Sequence, residues 1–129
     1  MSIRIVRLGT PRAPDEGLRL GTVRYPPRGV RKDQYAARDF FDVWLPDLAP
    51  TPATVKVAQA AATEQQWRGY VKRYRREMGA PEKRRLLDLL AALSRHADFA
   101  VGCYCEDERR CHRSILKALL EERGAVINP

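Results

Sequence analysis

Three cysteines and a histidine crowd into one short stretch of the sequence. Cys103, Cys105, Cys111 and His112 all fall between positions 103 and 112, and Arg113 follows directly. Thiolates combined with an imidazole form a soft ligand set that suits zinc or iron. The stretch therefore predicts a metal site that would use Cys103, Cys105, Cys111 and His112.

The same residues also suit thiol chemistry without a metal. A cysteine at the start of a helix, beside a histidine and an arginine, is placed to have a lowered pKa. Cys111 would then be the nucleophile and Cys105 its resolving partner, or Cys105 would itself react. In either case His112 would be the general base and Arg113 a charge clamp. The plainest alternative is that Cys103 and Cys111 are small buried hydrophobic residues and that His112 is a core or capping residue.

A group of cations follows a predicted strand near the N-terminus. The segment 24–32 contains Arg24, Arg28, Arg31 and Lys32 around two prolines. If that strand is parallel to the strand before the cysteines, both loops lie at the same edge of the sheet. Arg24 and Arg28 are then candidates to bind an anionic small molecule through their guanidinium groups. The alternative is a rigid solvated loop with ordinary surface charge.

A basic face on a predicted helix gives a second functional hypothesis. Helical spacing places four cations on one arc: Arg68, Lys72, Arg75 and Arg76. Such a stripe could follow a phosphate backbone, and the net charge of +8 permits a nucleic-acid partner without demanding one. The alternative function is therefore a nucleic-acid-binding accessory protein, although the solvated side of an amphipathic helix has the same pattern. The aromatic residues of this helix, including Tyr70 and Tyr74, are assigned to the core.

The elements that position these residues follow from periodicity and from caps. Alternation predicts strands over 3–8 and 18–25, and a short apolar run predicts another over 99–104. Helices are predicted over 52–62 with Thr51 as N-cap, over 63–78, and from Pro81 along a leucine stripe to Leu93. A last helix is predicted from about 111 and ends before Gly124. The stretch 35–48 is compatible with a helix or with a strand leading into the Pro46 turn, and a helix is favoured. The predicted fold is a single α/β domain spanning 1–129, with a small mostly parallel sheet flanked by helices.

Composition narrows the classes of protein. The chain of 129 residues is 44% hydrophobic and 31% charged, which fits one globular domain. It contains no run of apolar residues long enough for a membrane span, and its N-terminus lacks the features of a secretory signal. A cytoplasmic location is expected, with no membrane partner and with a monomer or a homodimer as the functional unit. Three cysteines in such a context argue against a disulfide framework.

Taken in order, several motifs resemble those of the domain of unknown function 488 family, in particular its YeaO-like branch. The matching stretches are Val23-Arg24 with Pro27-Arg28-Gly29, the segment 44–51, the helix that carries Trp67 and Tyr70, Cys105-Glu106-Asp107-Glu108, and Cys111-His112-Arg113-Ser114-Ile115-Leu116. The last two resemble the C-x-E…C-H-R-x-x-L signature of the wider family. The resemblance implies a compact bacterial or archaeal α/β protein and carries no established activity.

Overall fold

Four parallel strands form one sheet in the computed structural model, which describes every residue from Met1 to Pro129. They are β1 (Ile3–Arg7), β2 (Leu18–Gly21), β3 (Val43–Trp44) and β4 (Phe99–Cys103), in the spatial order β1-β4-β2-β3. Gly21 at the end of β2 pairs with Gly102 near the end of β4. The carboxyl ends of β2 and β4 are therefore neighbours at one edge of the sheet. The predicted α/β class is confirmed, and the sheet is entirely parallel.

Four helices follow the predicted boundaries closely. They are α1 (Pro52–Ala60), α2 (Glu64–Glu77), α3 (Pro81–Leu93) and α4 (His112–Glu122). The Thr51 hydroxyl accepts a hydrogen bond from the backbone of Thr54 at the start of α1, as expected for an N-cap. At the start of α2, Thr63 and Gln66 form a reciprocal capping box. These local signals explain why the helix positions could be predicted from the sequence.

The helices contribute their apolar residues to the core on one face of the sheet. Alternate residues of the strands point to this face, and they share the core with residues of α2, α3 and α4, including Ile3, Tyr70, Tyr74, Leu87, Phe99, Val101 and Leu116. The leucine stripe of α3 is narrower than predicted, because Leu89 and Leu93 are exposed and only Leu87 and Leu90 of its leucines are buried.

Loops cover part of the opposite face of the sheet. The Phe41 ring packs on Gly21, where a Cβ atom would overlap it. Arg19 of β2 is fully buried on this side and forms a bidentate ion pair with Glu16, with N–O distances of 2.7 and 2.9 Å. Its Nη1 also donates to the carbonyls of Thr10 and Asp39. Arg19 thereby fastens two loops to the sheet, a role that the sequence analysis missed.

Two predicted elements differ from the structure. The helix favoured over 35–48 is wrong: this stretch contains turns, the short strand β3 and a 3₁₀ turn at Pro46–Leu48. Asp39 there has a positive φ of 62°, which a right-handed helix excludes. The second strand ends at Gly21 instead of continuing to residue 25. Beyond it, the carbonyls of Thr22 and Val23 accept hydrogen bonds from the side chains of His112 and Trp44.

Candidate metal centre and adjoining cavity

The cysteines and the histidine meet where β4 leads into α4. Cys103 is the last residue of β4, Cys111 is the N-cap of α4, and His112 is its first residue. One ligand atom from each of these three residues lies within 4.8 Å of the other two, and all three residues are buried. The structure therefore brings together three of the four residues predicted as metal ligands in a compact group.

Cys105 is the fourth predicted ligand, and it differs from the others in being exposed. Its Sγ lies 3.7 Å from the Sγ of Cys103. For zinc–sulfur bonds of about 2.3 Å, two sulfur ligands at corners of a tetrahedron are about 3.8 Å apart. The spacing of these two thiols fits two corners of a tetrahedral zinc or iron site, but the Sγ of Cys105 lies outside the group of donor atoms that are all within 4.8 Å of one another.

The orientation of His112 leaves one ring nitrogen free to act as a ligand. Its Nε2 lies 2.5 Å from the carbonyl oxygen of Thr22, and a carbonyl can only accept a hydrogen bond. Nε2 must therefore carry the proton, and the bare Nδ1 lies 3.8 Å from the Sγ of Cys111. Burial lowers the pKa of His112 to about 4, so the ring is neutral at pH 7. Metal-binding histidines are commonly held through their second nitrogen in this way.

Without a metal, negative charge in this cluster would gather on Cys105. Hydrogen bonds from the thiols of Cys103 and Cys111 lower the pKa of Cys105 strongly, and the Arg113 guanidinium lowers it further. The hydrogen bond to Cys105, together with burial, raises the pKa of Cys103. The pKa of Cys111 is also raised. If the site works as a thiol, the accessible Cys105 is therefore better placed as nucleophile than the buried Cys111.

Arg113 is a buried cation beside the cluster. Only 3% of the residue is exposed, and its Nη2 donates to the carbonyl of Cys105. Its Nε has no hydrogen-bond partner, and none of the ion pairs of the protein involves it. A buried guanidinium without a carboxylate is costly, so a negative charge in the cluster would compensate it.

A cavity of about 600 Å³ adjoins the cluster. Its wall includes the four cluster residues together with Tyr70 of α2, residues of α1 and the segment 23–28. The lining is largely apolar, includes three arginines and contains no carboxylate. This composition favours a ligand that is partly apolar and negatively charged.

The three arginines of the cavity are not equivalent. Arg24 donates from Nε and Nη2 to the carbonyls of Pro46, Ala49 and Pro50. Most of its N–H groups are therefore already bonded to backbone carbonyls. Arg110 pairs with Glu64 and stacks over the Trp67 ring at 5.3 Å. Arg28 is exposed and forms neither a side-chain hydrogen bond nor an ion pair within the protein. The parallel sheet thus brings Arg24 and Arg28 to the same edge of the sheet as the cysteines. Their binding of an anion stays a prediction.

Tyr70 is a residue of the cavity wall that the sequence analysis assigned only to the core. The residue is 2% exposed, and its hydroxyl, which is not fully buried, makes no hydrogen bond within the protein. Tyr74, one turn later in α2, donates to the Leu48 carbonyl at 2.7 Å. Burial, followed by the nearby cysteine thiols, raises the pKa of Tyr70, which keeps the hydroxyl protonated. Helical periodicity treats the two tyrosines alike, so no signal in the sequence separates them.

The cations of the basic helix face lie on the exposed side of α2. Arg68, Lys72 and Arg76 are exposed and unpaired, whereas Arg75 forms an ion pair with Glu122 at 2.8 Å. Nucleic-acid binding by this face of α2 stays a prediction.

The fold and the cluster together define a small parallel α/β protein with a Cys/His group at the carboxyl edge of its sheet. The family model described as the active DUF488-N3 subclade matches residues 3–124, and the chain belongs to the DUF488 family. The family resemblance is thereby confirmed, while the YeaO-like branch stays a prediction. No curated protein and no solved structure gives a significant match to the chain. None of its helices combines the length and the apolar character needed to cross a bilayer.

Proposed function

We propose that the protein binds a zinc or iron ion through Cys103, Cys105, Cys111 and Nδ1 of His112, and that Arg24 and Arg28 help bind an anionic small molecule beside it. The observation that carries the proposal is the group of three buried donor atoms within 4.8 Å of one another. The hydrogen bond from His112 to Thr22 supports it, because it directs a bare nitrogen toward the sulfur of Cys111.

The charge of Arg113 supports the use of all three thiols. A divalent ion with three thiolates and a neutral imidazole carries one net negative charge. Arg113 is buried, has no carboxylate partner and donates to the Cys105 carbonyl, so it would compensate that charge. With only two thiolates the centre would be neutral, and the buried guanidinium would stay uncompensated.

The exposed position of Cys105 connects this centre with the cavity. Zinc or iron held by all four residues would have a filled coordination shell, so it would supply Lewis-acid chemistry only to a ligand that displaced Cys105. The protein residues have separate tasks: Thr22 fixes the His112 ring, and Arg113 holds the loop of Cys105 through its carbonyl. Cys105 borders both the cluster and the cavity, so it is the ligand that a bound molecule would meet first.

Metal content and thiol protection test the proposal directly. Untagged protein purified without oxygen is expected to contain about one equivalent of zinc or iron, because the four ligands form one site. Its thiols should react with a thiol reagent only after chelation. Protein without metal, in which all three thiols react at once, would overturn the metal centre. Much faster reaction of Cys105 in that protein would favour thiol chemistry instead.

The second histidine of the chain provides a matched control. His112→Gln removes a proposed ligand and should weaken metal binding at least tenfold, whereas the exposed His96 lies outside the cluster and His96→Gln should bind metal as the wild type does. Cobalt(II) substitution gives a spectroscopic readout, since tetrahedral thiolate coordination has its own absorption bands. Equal metal affinity in both variants would exclude His112 as a ligand.

A nucleic-acid-binding function is the second candidate, and the unpaired cations Arg68, Lys72 and Arg76 of α2 favour it. Binding through them should weaken steeply with added salt. The double charge reversal Arg68→Glu with Lys72→Glu should then reduce affinity for a DNA or RNA duplex, while blocking the thiols should leave it unchanged. Salt-independent binding, or no binding, would reject this function.

A further inference from the structure

The Tyr70 hydroxyl is a polar group that has no partner within the protein. Only 2% of the residue is exposed, and that exposure includes the hydroxyl oxygen, which makes no hydrogen bond within the protein and belongs to a residue that lines the cavity. Buried tyrosine hydroxyls usually have a partner, and Tyr74 on the same helix face has one in the Leu48 carbonyl. The Tyr70 hydroxyl is therefore positioned for a molecule in the cavity.

The chemistry of this hydroxyl narrows the class of molecule. A tyrosine hydroxyl is protonated at neutral pH, and as a donor it requires an acceptor such as an oxygen. The wall around it supplies apolar surface from Pro26, Pro27, Val55 and Ala58. No carboxylate lines the cavity to repel an anion. The guanidinium of Arg28 lies in the cavity wall and forms no hydrogen bond or ion pair within the protein.

We propose that the cavity binds a small oxyanion that carries an apolar body, with Tyr70 donating to one of its oxygens and Arg28 pairing with its negative charge. The apolar body packs against the prolines of the 23–28 segment and against α1. The volume of about 600 Å³ suits a small organic molecule. This inference deepens the anionic-ligand part of the proposed function and does not depend on the metal.

Phenyl phosphate is the probe that combines both features. Its binding is measured by isothermal titration calorimetry and by chemical shifts of the cavity residues, beside inorganic phosphate and benzyl alcohol. Phenyl phosphate should bind at one site and at least tenfold more tightly than either, because only it provides an oxyanion and an apolar body together. Equal or weaker binding of phenyl phosphate, or no binding, would overturn the assigned ligand class.

Two pairs of variants test the assigned residues. Arg28→Gln should weaken phenyl phosphate binding about tenfold, since it removes a charge-assisted hydrogen bond. Arg31→Gln, which changes a cation three residues further along the chain and outside the cavity, should have no effect. Tyr70→Phe should weaken binding about fivefold without lowering Tm. Tyr74→Phe should lower Tm and leave the affinity of the folded protein within twofold of wild type.

An unchanged affinity in Tyr70→Phe or in Arg28→Gln would overturn the assignment of that residue and with it the proposed pose. Neither residue is a proposed metal ligand, so each variant should keep the wild-type metal content, which is measured in the same samples. Protein that purifies without metal under these conditions, and that still binds phenyl phosphate through Tyr70 and Arg28, would refute the metal centre and support the ligand site. Protein that contains the metal, and whose affinity for phenyl phosphate is unchanged by either variant, would support the metal centre and refute the ligand site.

Discussion

Replacing Glu16 by glutamine removes the charge that compensates the buried Arg19 and keeps the shape of the side chain. Glu16 is 3% exposed and Arg19 is fully buried, with two N–O contacts of 2.7 and 2.9 Å between them. The remaining donors of Arg19 bind the carbonyls of Thr10 and Asp39. Those carbonyls stay in place in Glu16→Gln, but they carry no full charge, so the guanidinium becomes a buried cation with no carboxylate bonded to it.

The Glu16→Gln substitution is expected to lower the free energy of unfolding by a large amount, although it replaces only one carboxylate oxygen by an amide nitrogen. Breaking a buried ion pair by removing one partner costs about 3–5 kcal/mol. The two carbonyl contacts and one amide oxygen still accept from Arg19, which places this case at the lower end, roughly 3 kcal/mol. For a domain of this size, that loss lowers Tm by roughly 10 °C.

Urea unfolding at pH 7, followed by circular dichroism, measures the loss. A double variant with Glu16→Leu and Arg19→Met should be more stable than Glu16→Gln, because it contains no unpaired charge. The exposed pair of Arg31 and Asp33 supplies the surface control, and Asp33→Asn should change stability by less than about 0.5 kcal/mol.

The pH dependence of stability has a defined sign. Burial alone raises the pKa of Glu16, but the hydrogen bonds and charge of Arg19 outweigh it and lower the pKa below its ordinary value of 4.5. Its contribution is therefore fully present above pH 4.5 and is lost as the pH falls through the lower folded-state pKa. A Glu16→Gln protein within about 0.5 kcal/mol of the wild type at pH 7 would refute the reasoning on Arg19.

Further substitutions separate structural from functional groups. Tyr74→Phe leaves the Leu48 carbonyl without its donor and should cost about 1–3 kcal/mol in urea unfolding. Arg24→Gln removes the donors that hold three backbone carbonyls, and it should lower Tm by several degrees, in contrast to Arg28→Gln. Gly21→Ala forces a methyl group into the Phe41 ring and should cost about 1–3 kcal/mol or more. Chelation of the proposed metal should lower Tm, by an amount that depends on free-metal concentration; an unchanged Tm would contradict a metal bound only to the folded state.

The helices and the cysteine cluster could be predicted from the sequence because both depend on residues that are close together in the chain. Thr51 and Pro52 mark the start of α1, and the capping box marks the start of α2. The cysteines and His112 are close in sequence, so a short connection from a strand to a helix is enough to gather them. That Arg24 and Arg28 would reach the same edge required a parallel sheet, which the sequence allowed and the strand pairing confirms.

The rest depends on contacts between distant segments. The stretch 35–48 has enough apolar residues for a helix, but its conformation is set by Asp42, which accepts from the Arg19 backbone and from Arg12. Strand order also lies outside local patterns, since β4 comes last in the chain and sits between β1 and β2. The different roles of Arg24 and Arg28 follow from three carbonyls that β3 and its following turn bring to Arg24.

The polar groups that the fold leaves without protein partners give the clearest indication of where it acts. Every guanidinium nitrogen of the buried Arg19 has a partner, and so do the buried hydroxyls of Thr54 and Tyr74. By contrast, Arg113 Nε and the Tyr70 hydroxyl have none, and both residues adjoin the cysteine cluster or its cavity. The Arg113 Nε is buried, and a domain of this size is only marginally stable, so the cost of leaving it unpaired is retained where it serves binding or chemistry. The Tyr70 hydroxyl carries no such cost, because it is accessible. The carboxyl edge of β2 and β4 is therefore where the metal and ligand experiments should be directed.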